Sequence, residues 1–338
     1  MKRLRTGILG CGGIAQKHAN AALTLQNEIE LVAFCDHTEA KARALAGQFT
    51  AGRGAVFTDH RTMFEQANLD MLIVCLPPFA HTDEVELAAE RRIHLLVEKP
   101  IALSSEQSWR MVDAAERTGI KTQVGFMYRF GAAMEEMKAR LDAGTAGAAG
   151  LFSGRYFCNA LHAAWWRARE KSGGQLVEQV IHLFDVMRVV MGEPVSVFSR
   201  QANVFHRAVA DYTVDDVSAT LFSFPNGGLG VIYATNGALP GQWIKEWRVV
   251  TQNLVAEFAD WNHATFTRTA PPALAAETIA SEQDVFALQL HDLVNAIRSD
   301  TATRTPLREG AKSLDLVLGA VRSAETHAEV RLESGRRG

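Results

Sequence analysis

Glu98-Lys99-Pro100 closes an apolar run at residues 93–97, and a second segment, residues 173–185, carries Glu178, His182 and Asp185 at intervals of four and three. A lysine at the end of a buried strand can polarise a substrate oxygen as a cation, or exchange a proton with it if desolvation lowers its pKa. An imidazole, with an ordinary pKa of about 6.5, suits proton transfer near neutrality. On an α-helix the spacing puts Glu178, His182 and Asp185 on one face, where a carboxylate could orient the ring in an acid/base relay. Leu176, Val177, Val180, Ile181, Leu183, Phe184 and Val186 mark that helix as buried, and polar groups within a buried helix need a reason. The plainer readings are a Glu98–Lys99 ion pair and a hydrogen-bonded core histidine.

A place for an electron carrier lies at the amino terminus. Gly10-Cys11-Gly12-Gly13-Ile14-Ala15 fits G-x-G-x-x-A between a strand pattern and a helix pattern, the context of a dinucleotide fingerprint. Gly10 permits the tight turn, Gly12 lets a pyrophosphate approach the backbone, and Ala15 allows close packing of helix on strand. The helix start through Gly13 and Ile14 offers free amides to the phosphates. Asp36 lies 21 residues past Ala15, close to the spacing at which an acid binds the ribose hydroxyls. It would repel a 2′-phosphate, with His37 and Lys41 offsetting the repulsion, so NAD is the expected cofactor and NADP the alternative. Leu76-Pro77 is expected beneath the cofactor, and Glu98-Lys99 beside its nicotinamide, at the carboxyl edge of the sheet.

These residues must be positioned by an α/β fold. Apolar runs at 4–9, 29–35, 55–58, 71–76, 93–97 and 122–126 read as strands of a doubly wound parallel sheet. Helical spacing at 14–25, 39–49, 61–67, 82–91 and 106–118 fills the intervals, with Ser104 or Ser105 as a cap. Beyond Phe126, a helix at 134–141 precedes alternating runs at 151–161, 195–205, 217–224, 229–235, 246–252, 255–259 and 263–268, which predict a large open antiparallel sheet. Pro225-Asn226-Gly227-Gly228 marks a turn between two of them. Helices are expected at 174–191, 284–298 and 309–326, and a frayed end at 334–338. The division is thus an NAD(P)-binding Rossmann domain at 1–126 and a substrate-binding and oligomerisation domain at 127–330, whose last helices could pack back on the first.

At 338 residues the chain exceeds what one core usually supports. A net charge of -3 gives no electrostatic footprint for nucleic acid. No run reaches the roughly 20 apolar residues that cross a bilayer, so neither a membrane nor a secretory role is expected and the cytoplasm is the predicted location. Cys11, Cys35, Cys75 and Cys158 have no metal or disulfide spacing and read as buried thiols, with Cys11 exposed to access in its turn. No metal site is expected. His291, on a late helix, reads as a packed histidine.

Taken in order, Gly10-x-Gly12-x-x-Ala15, Asp36, Glu98-Lys99-Pro100, Val124-Gly125-Phe126 with Arg129-Phe130, and the segment from Gly173 to Asp185 resemble the Gfo/Idh/MocA family of NAD(P)-dependent oxidoreductases over nearly the whole chain. The resemblance implies a Rossmann domain, a second domain whose open sheet often makes dimers or tetramers, and a sugar, inositol or related polyol as substrate. It implies that Lys99 holds the substrate, often after a cis peptide bond to the proline, and that His182 is the acid/base histidine. Glu178 stands where many members have Asp. Trp165-Trp166-Arg167 reads as a loop entering the site, with Trp166 packing sugar C–H surfaces and Arg167 gripping a carboxylate. Tyr128 and Tyr233 are further candidate lining residues. The expected activity is hydride transfer between a secondary alcohol and nicotinamide. Rival readings are an NAD-using glycoside hydrolase, a reductase of a non-sugar carbonyl or diol, and a non-catalytic ligand sensor.

Overall fold

Six apolar segments pair in parallel because helices cover both faces of the sheet they form. The computed structural model describes residues 2–269 and 275–332, so the expected fraying at 334–338 lies outside the described residues. The strands are β1 (Leu4–Leu9), β2 (Ile29–Cys35), β3 (Ala55–Phe57), β4 (Met71–Val74), β5 (His94–Val97) and β6 (Thr122–Val124), in the order β3-β2-β1-β4-β5-β6. The order reverses between β1 and β4, and open α/β sheets bind ligands outside the strand ends at such a reversal. Helix Gly13–Thr24 follows β1 directly, and Ser104 caps helix Ser105–Thr118 by accepting from the Gln107 amide at 3.2 Å.

The chain divides into two units, residues 1–127 with 284–311 and residues 128–283 with 312–338. The first unit is therefore not one continuous span. Helix Val285–Ser299 belongs to it because Leu290, Leu293 and Val294 complete the core formed by Ala15, Ala19 and Ile8.

In the second unit the strands are β7 (Ala149–Phe157), β8 (Ser196–Ala202), β9 (Val217–Ser223), β10 (Leu229–Thr235), β11 (Ile244–Thr251), β12 (Leu254–Phe258), β13 (Ala264–Arg268), β14 (Ala276–Ile279) and β15 (Val330–Arg331). They form a sheet in the order β14-β13-β12-β11-β7-β10-β9-β8-β15. The expected large open sheet is present and mostly antiparallel, with one parallel pairing at its centre, β10 on β7. One face is buried and covered by the helix Ile181–Met191: a side chain at Gly154 of β7 would meet Leu183 at 3.4 Å. The other face exposes Leu151, Leu221, Leu229 and Tyr233. Among the described residues no helix is long and apolar enough to cross a membrane.

Candidate active site

The fingerprint turn forms because β1 must pass β4 at close range. Gly10 has φ +85°, and a Cβ there would stand 2.6 Å from the Cys75 carbonyl oxygen, so only glycine fits. Gly12 and Gly13 face open space, with nothing within 4 Å of an added Cβ. Helix Gly13–Thr24 has no side-chain cap and no acid in its first turn, which leaves its leading amides to an anion. Ile14 is exposed in that turn, whereas Ala15 is buried beneath it. Asp36 accepts from the Cys11 amide and the Thr38 amide, both at 2.9 Å, and His37 Nδ1 lies 3.2 Å from it. The carboxylate thus braces the turn and keeps a lone pair on each oxygen for a ribose hydroxyl. Leu76 and Pro77 follow β4, with the Leu76 amide beside Gly10. These residues fit a dinucleotide. Cys11 is buried rather than accessible, and burial, then the Asp36 charge, pushes its thiol up to about 12.

Glu98 and Lys99 follow β5, and the Lys99–Pro100 peptide is cis. Glu98 is buried: its Oε1 lies 2.7 Å from His18 Nε2 and its Oε2 accepts from the Lys99 amide at 3.1 Å. His18 Nδ1 is buried without a hydrogen-bond partner among the described residues, so Nε2 makes the ring's contact with Glu98. Gly125 completes the cage, because a Cβ there would come within 2.7 Å of the Glu98 carboxyl carbon. His18 escaped the sequence reading, although a histidine on the alanine face of Ala15, Ala19 and Ala22 was its signal. A second missed pair, His81 and Glu84, is joined at 2.6 Å. Burial raises the Glu84 pKa, but the hydrogen bond and charge of His81 outweigh it and hold the carboxyl below its ordinary value.

In the second unit, a π-turn at Leu176–Val180 runs into helix Ile181–Met191. Its wider i to i+5 bonding breaks the regular helical face assumed for Glu178, His182 and Asp185, and such turns gather at functional sites. Glu178 lies in the wide turn and accepts from Trp166 Nε1 at 2.8 Å. His182 is buried and stacks on Tyr128, ring centres 4.5 Å apart and planes 12° apart, while Tyr128 stacks in turn on Trp261 at 4.4 Å. Asp185 does not complete a relay. Both its oxygens accept from Arg129, at 2.6 and 2.8 Å, and one accepts from Ser313 at 3.0 Å, so it anchors the helix.

The remaining candidates sort by geometry. Tyr128 is core, 1% exposed, and burial followed by the Asp260 charge pushes its phenol well above the ordinary range. Its place is under His182. Trp166 is buried against His162, ring centres 4.2 Å apart. Arg167 donates through Nε and one Nη to the carbonyls of Leu161 and His162 and so shapes the loop, in which His162 has φ +57°. Burial lowers the His162 pKa, favouring a neutral ring. Tyr233 lies on the exposed sheet face, away from helix Ile181–Met191, and His291 is exposed 3.9 Å from Glu28 rather than packed.

With that geometry established, residues 4–126 match a family described as an oxidoreductase family with an NAD-binding Rossmann fold, and residues 134–253 match the GFO/IDH/MocA C-terminal domain. The chain is 30% identical to the D-glucoside 3-dehydrogenase of Escherichia coli (strain K12), over 67% of this chain and 68% of that protein. It is 28% identical to the scyllo-inositol 2-dehydrogenase (NAD(+)) of Bacillus subtilis (strain 168), over 72% and 70%. Among solved structures, levoglucosan dehydrogenase in complex with NADH and levoglucosan shares the fold, with a TM-score of 0.90 at 19% identity, covering 98% of this chain and 100% of that one.

Proposed function

Because the chain belongs to the GFO/IDH/MocA oxidoreductase family, we propose that it is a dehydrogenase of a CH–OH group on a sugar, inositol or sugar acid, with Lys99 and His182 handling the hydroxyl proton. The observation that carries the reading is the holding of His182: an imidazole fixed by ring stacking immediately after a π-turn that bears a buried-site carboxylate, Glu178. When bound, NAD supplies the hydride acceptor.

The residues of the chain do the rest. Gly12, Gly13 and the uncapped helix start hold the pyrophosphate, and Asp36 binds the adenosine ribose. Lys99, on a backbone fixed by Glu98, polarises the reacting oxygen as its proton leaves. His182 accepts that proton, and stacking on Tyr128 holds the ring to one orientation. Glu178, steadied by Trp166, binds a neighbouring hydroxyl. The exposed sheet face with Leu151, Leu221, Leu229 and Tyr233 supports assembly as a homodimer or homotetramer. Four buried free thiols suit the reducing cytoplasm.

The test is an initial-rate screen at the NADH absorbance band against sugars, inositols and sugar acids with both cofactors. Lys99→Ala and His182→Ala are each expected to lower kcat by about 10²–10⁴-fold with the substrate found. Unchanged turnover in both variants would remove the assigned roles, and glycoside cleavage without net NADH would replace the dehydrogenase with the hydrolase.

A further inference from the structure

Left-handed backbone has an ordinary place at helix ends, and Ala51, Asn68, Arg92, Asp300 and His327 each end or closely follow a helix. Two further non-glycine residues with positive φ lie elsewhere among the described residues. Asp211 sits in a turn, a common place for a short polar residue. His162, at φ +57°, carries an imidazole in the connection between β7 and helix Ala164–Arg167, in a conformation that side chains of its size enter at a cost.

Several bonds keep that kink. Arg167 donates through Nε to the Leu161 carbonyl at 3.0 Å and through Nη2 to the His162 carbonyl at 3.1 Å. Asn159 Nδ2 donates to the Ala238 carbonyl at 2.7 Å, which ties the start of the connection to the segment that follows β10. The result is the placement of one ring. His162 Nε2 lies 3.1 Å from Gln179 Nε2, and the ring centre lies 4.2 Å from that of Trp166 and 5.6 Å from that of Trp243.

Trp166 and Gln179 are also the neighbours of Glu178. Trp166, 2% exposed, donates through Nε1 to Glu178 Oε2 at 2.8 Å and packs with Tyr212 and Val214. Gln179, also buried, follows Glu178 directly in the π-turn Leu176–Val180. A glutamate side chain has several rotatable bonds, so a carboxylate that must meet one particular hydroxyl needs neighbours that hold it. A single imidazole touching both neighbours constrains Glu178 from the indole side and from the backbone side together.

We propose that His162 is a positioning residue for Glu178: the left-handed backbone sets the imidazole against Trp166 and Gln179, and the pair in turn fixes the carboxylate that binds the substrate hydroxyl beside the reacting one. The inference rests on the dehydrogenase reading for that hydroxyl and adds to it a residue that makes no contact with the substrate.

The test uses the 15N-labelled, NAD-loaded protein, whose six tryptophans give indole N–H signals, with Trp166→Phe identifying the one from Trp166. His162→Gly removes the ring but relaxes the backbone, so the denaturant midpoint is expected to stay near that of the parent. The Trp166 indole signal is expected to move upfield as its bond to the carboxylate loosens. With a substrate found in the NADH screen, KM should rise about tenfold while kcat stays within about threefold, because a hydroxyl contact made equally in ground and transition states is weakened. His162→Asn, whose side chain tolerates left-handed backbone and can pair with Gln179, should bring both the signal and KM back toward the parent. The inference is overturned if the indole signal stays in place in the glycine variant, or if midpoint, kcat and KM deteriorate together, as loss of an ordinary core ring would produce. A screen that finds no NADH formation with any substrate removes the dehydrogenase reading instead, and the indole signal then decides the positioning role by itself.

Discussion

Two buried carboxylates, Glu98 in the first unit and Asp185 in the second, each brace a candidate catalytic side chain and are held by different physics. Glu98 directly precedes Lys99 and is held by the His18 ring, one backbone amide and the steric wall at Gly125. Asp185 lies three residues beyond His182 and is held by a countercharge, the two-pronged guanidinium of Arg129, with the Ser313 hydroxyl added. A carboxylate gripped by single directional donors loses one bond when a donor goes. One gripped by a cation loses its main countercharge, and for Asp185 only Arg188, 3.9 Å away, would remain nearby among the described residues. The second unit therefore has more to lose from a single change, and its candidate histidine stacks on Tyr128.

The largest expected effect tests that difference. Arg129→Met leaves Asp185 buried beside an apolar chain and should cost about 3–5 kcal/mol, read as a fall in the denaturant midpoint at unchanged slope. Adding Asp185→Asn to it should recover much of the loss, because no uncompensated charge remains. A single-variant cost under about 1 kcal/mol would mean that the pair behaves as a surface ion pair and that the two carboxylates are not distinct in kind.

The intermediate effect lies in the first unit. His18→Leu removes the Nε2 donor and should cost about 1–3 kcal/mol, the penalty of an unsatisfied buried acceptor. His18→Gln, whose amide can donate along the same direction, should restore most of it. Turnover is expected to follow stability in both variants, since a displaced Glu98 lets the Lys99 backbone move. A His18→Leu protein as stable as the parent would show that Gly125 and the backbone suffice to hold Glu98.

How far the sequence foretold these arrangements differs between the units for a physical reason. The central parallel strands β1, β4 and β5 are largely buried on both faces, so each reads as an apolar run, and the glycine fingerprint fixes where the first one ends. Gly10 carries its own evidence, since a turn with no room for Cβ demands glycine wherever it occurs. In the second unit, alternation revealed the strands but not their partners: the parallel pairing of β10 with β7 joins residues nearly eighty apart and leaves no local trace. The four-residue helices Ala164–Arg167 and Arg169–Ser172 are too short to show a period. The π-turn defeated the spacing argument itself, because counting in fours assumes α-helical geometry throughout residues 178–185. Arg129 was noticed as part of a motif, yet its partner Asp185 lies 56 positions away and was assigned to a relay.

The smallest expected effect asks what Tyr128 contributes beneath His182. If the ring alone matters, Tyr128→Phe preserves both stacks and should leave kcat within about twofold, since face-to-face contact rather than the hydroxyl orients the imidazole. The alkaline limb of the pH–rate profile sharpens the question. Burial, then Asp260, raises the phenol above its ordinary value of 10.0, so in the folded protein it stays protonated as pH climbs through that value. The unfolded chain ionises first, and the sign of the linkage makes this phenol a stabilising group at neutral pH whose contribution fades above pH 10. Parent and Tyr128→Phe should therefore show superimposable pH–rate profiles up to that point, while the parent alone loses this increment of stability beyond it. A displaced alkaline limb in the rate of the Phe variant would make Tyr128 a proton carrier rather than a platform, and His182 would then be held by a hydrogen-bonding device like that of Glu98.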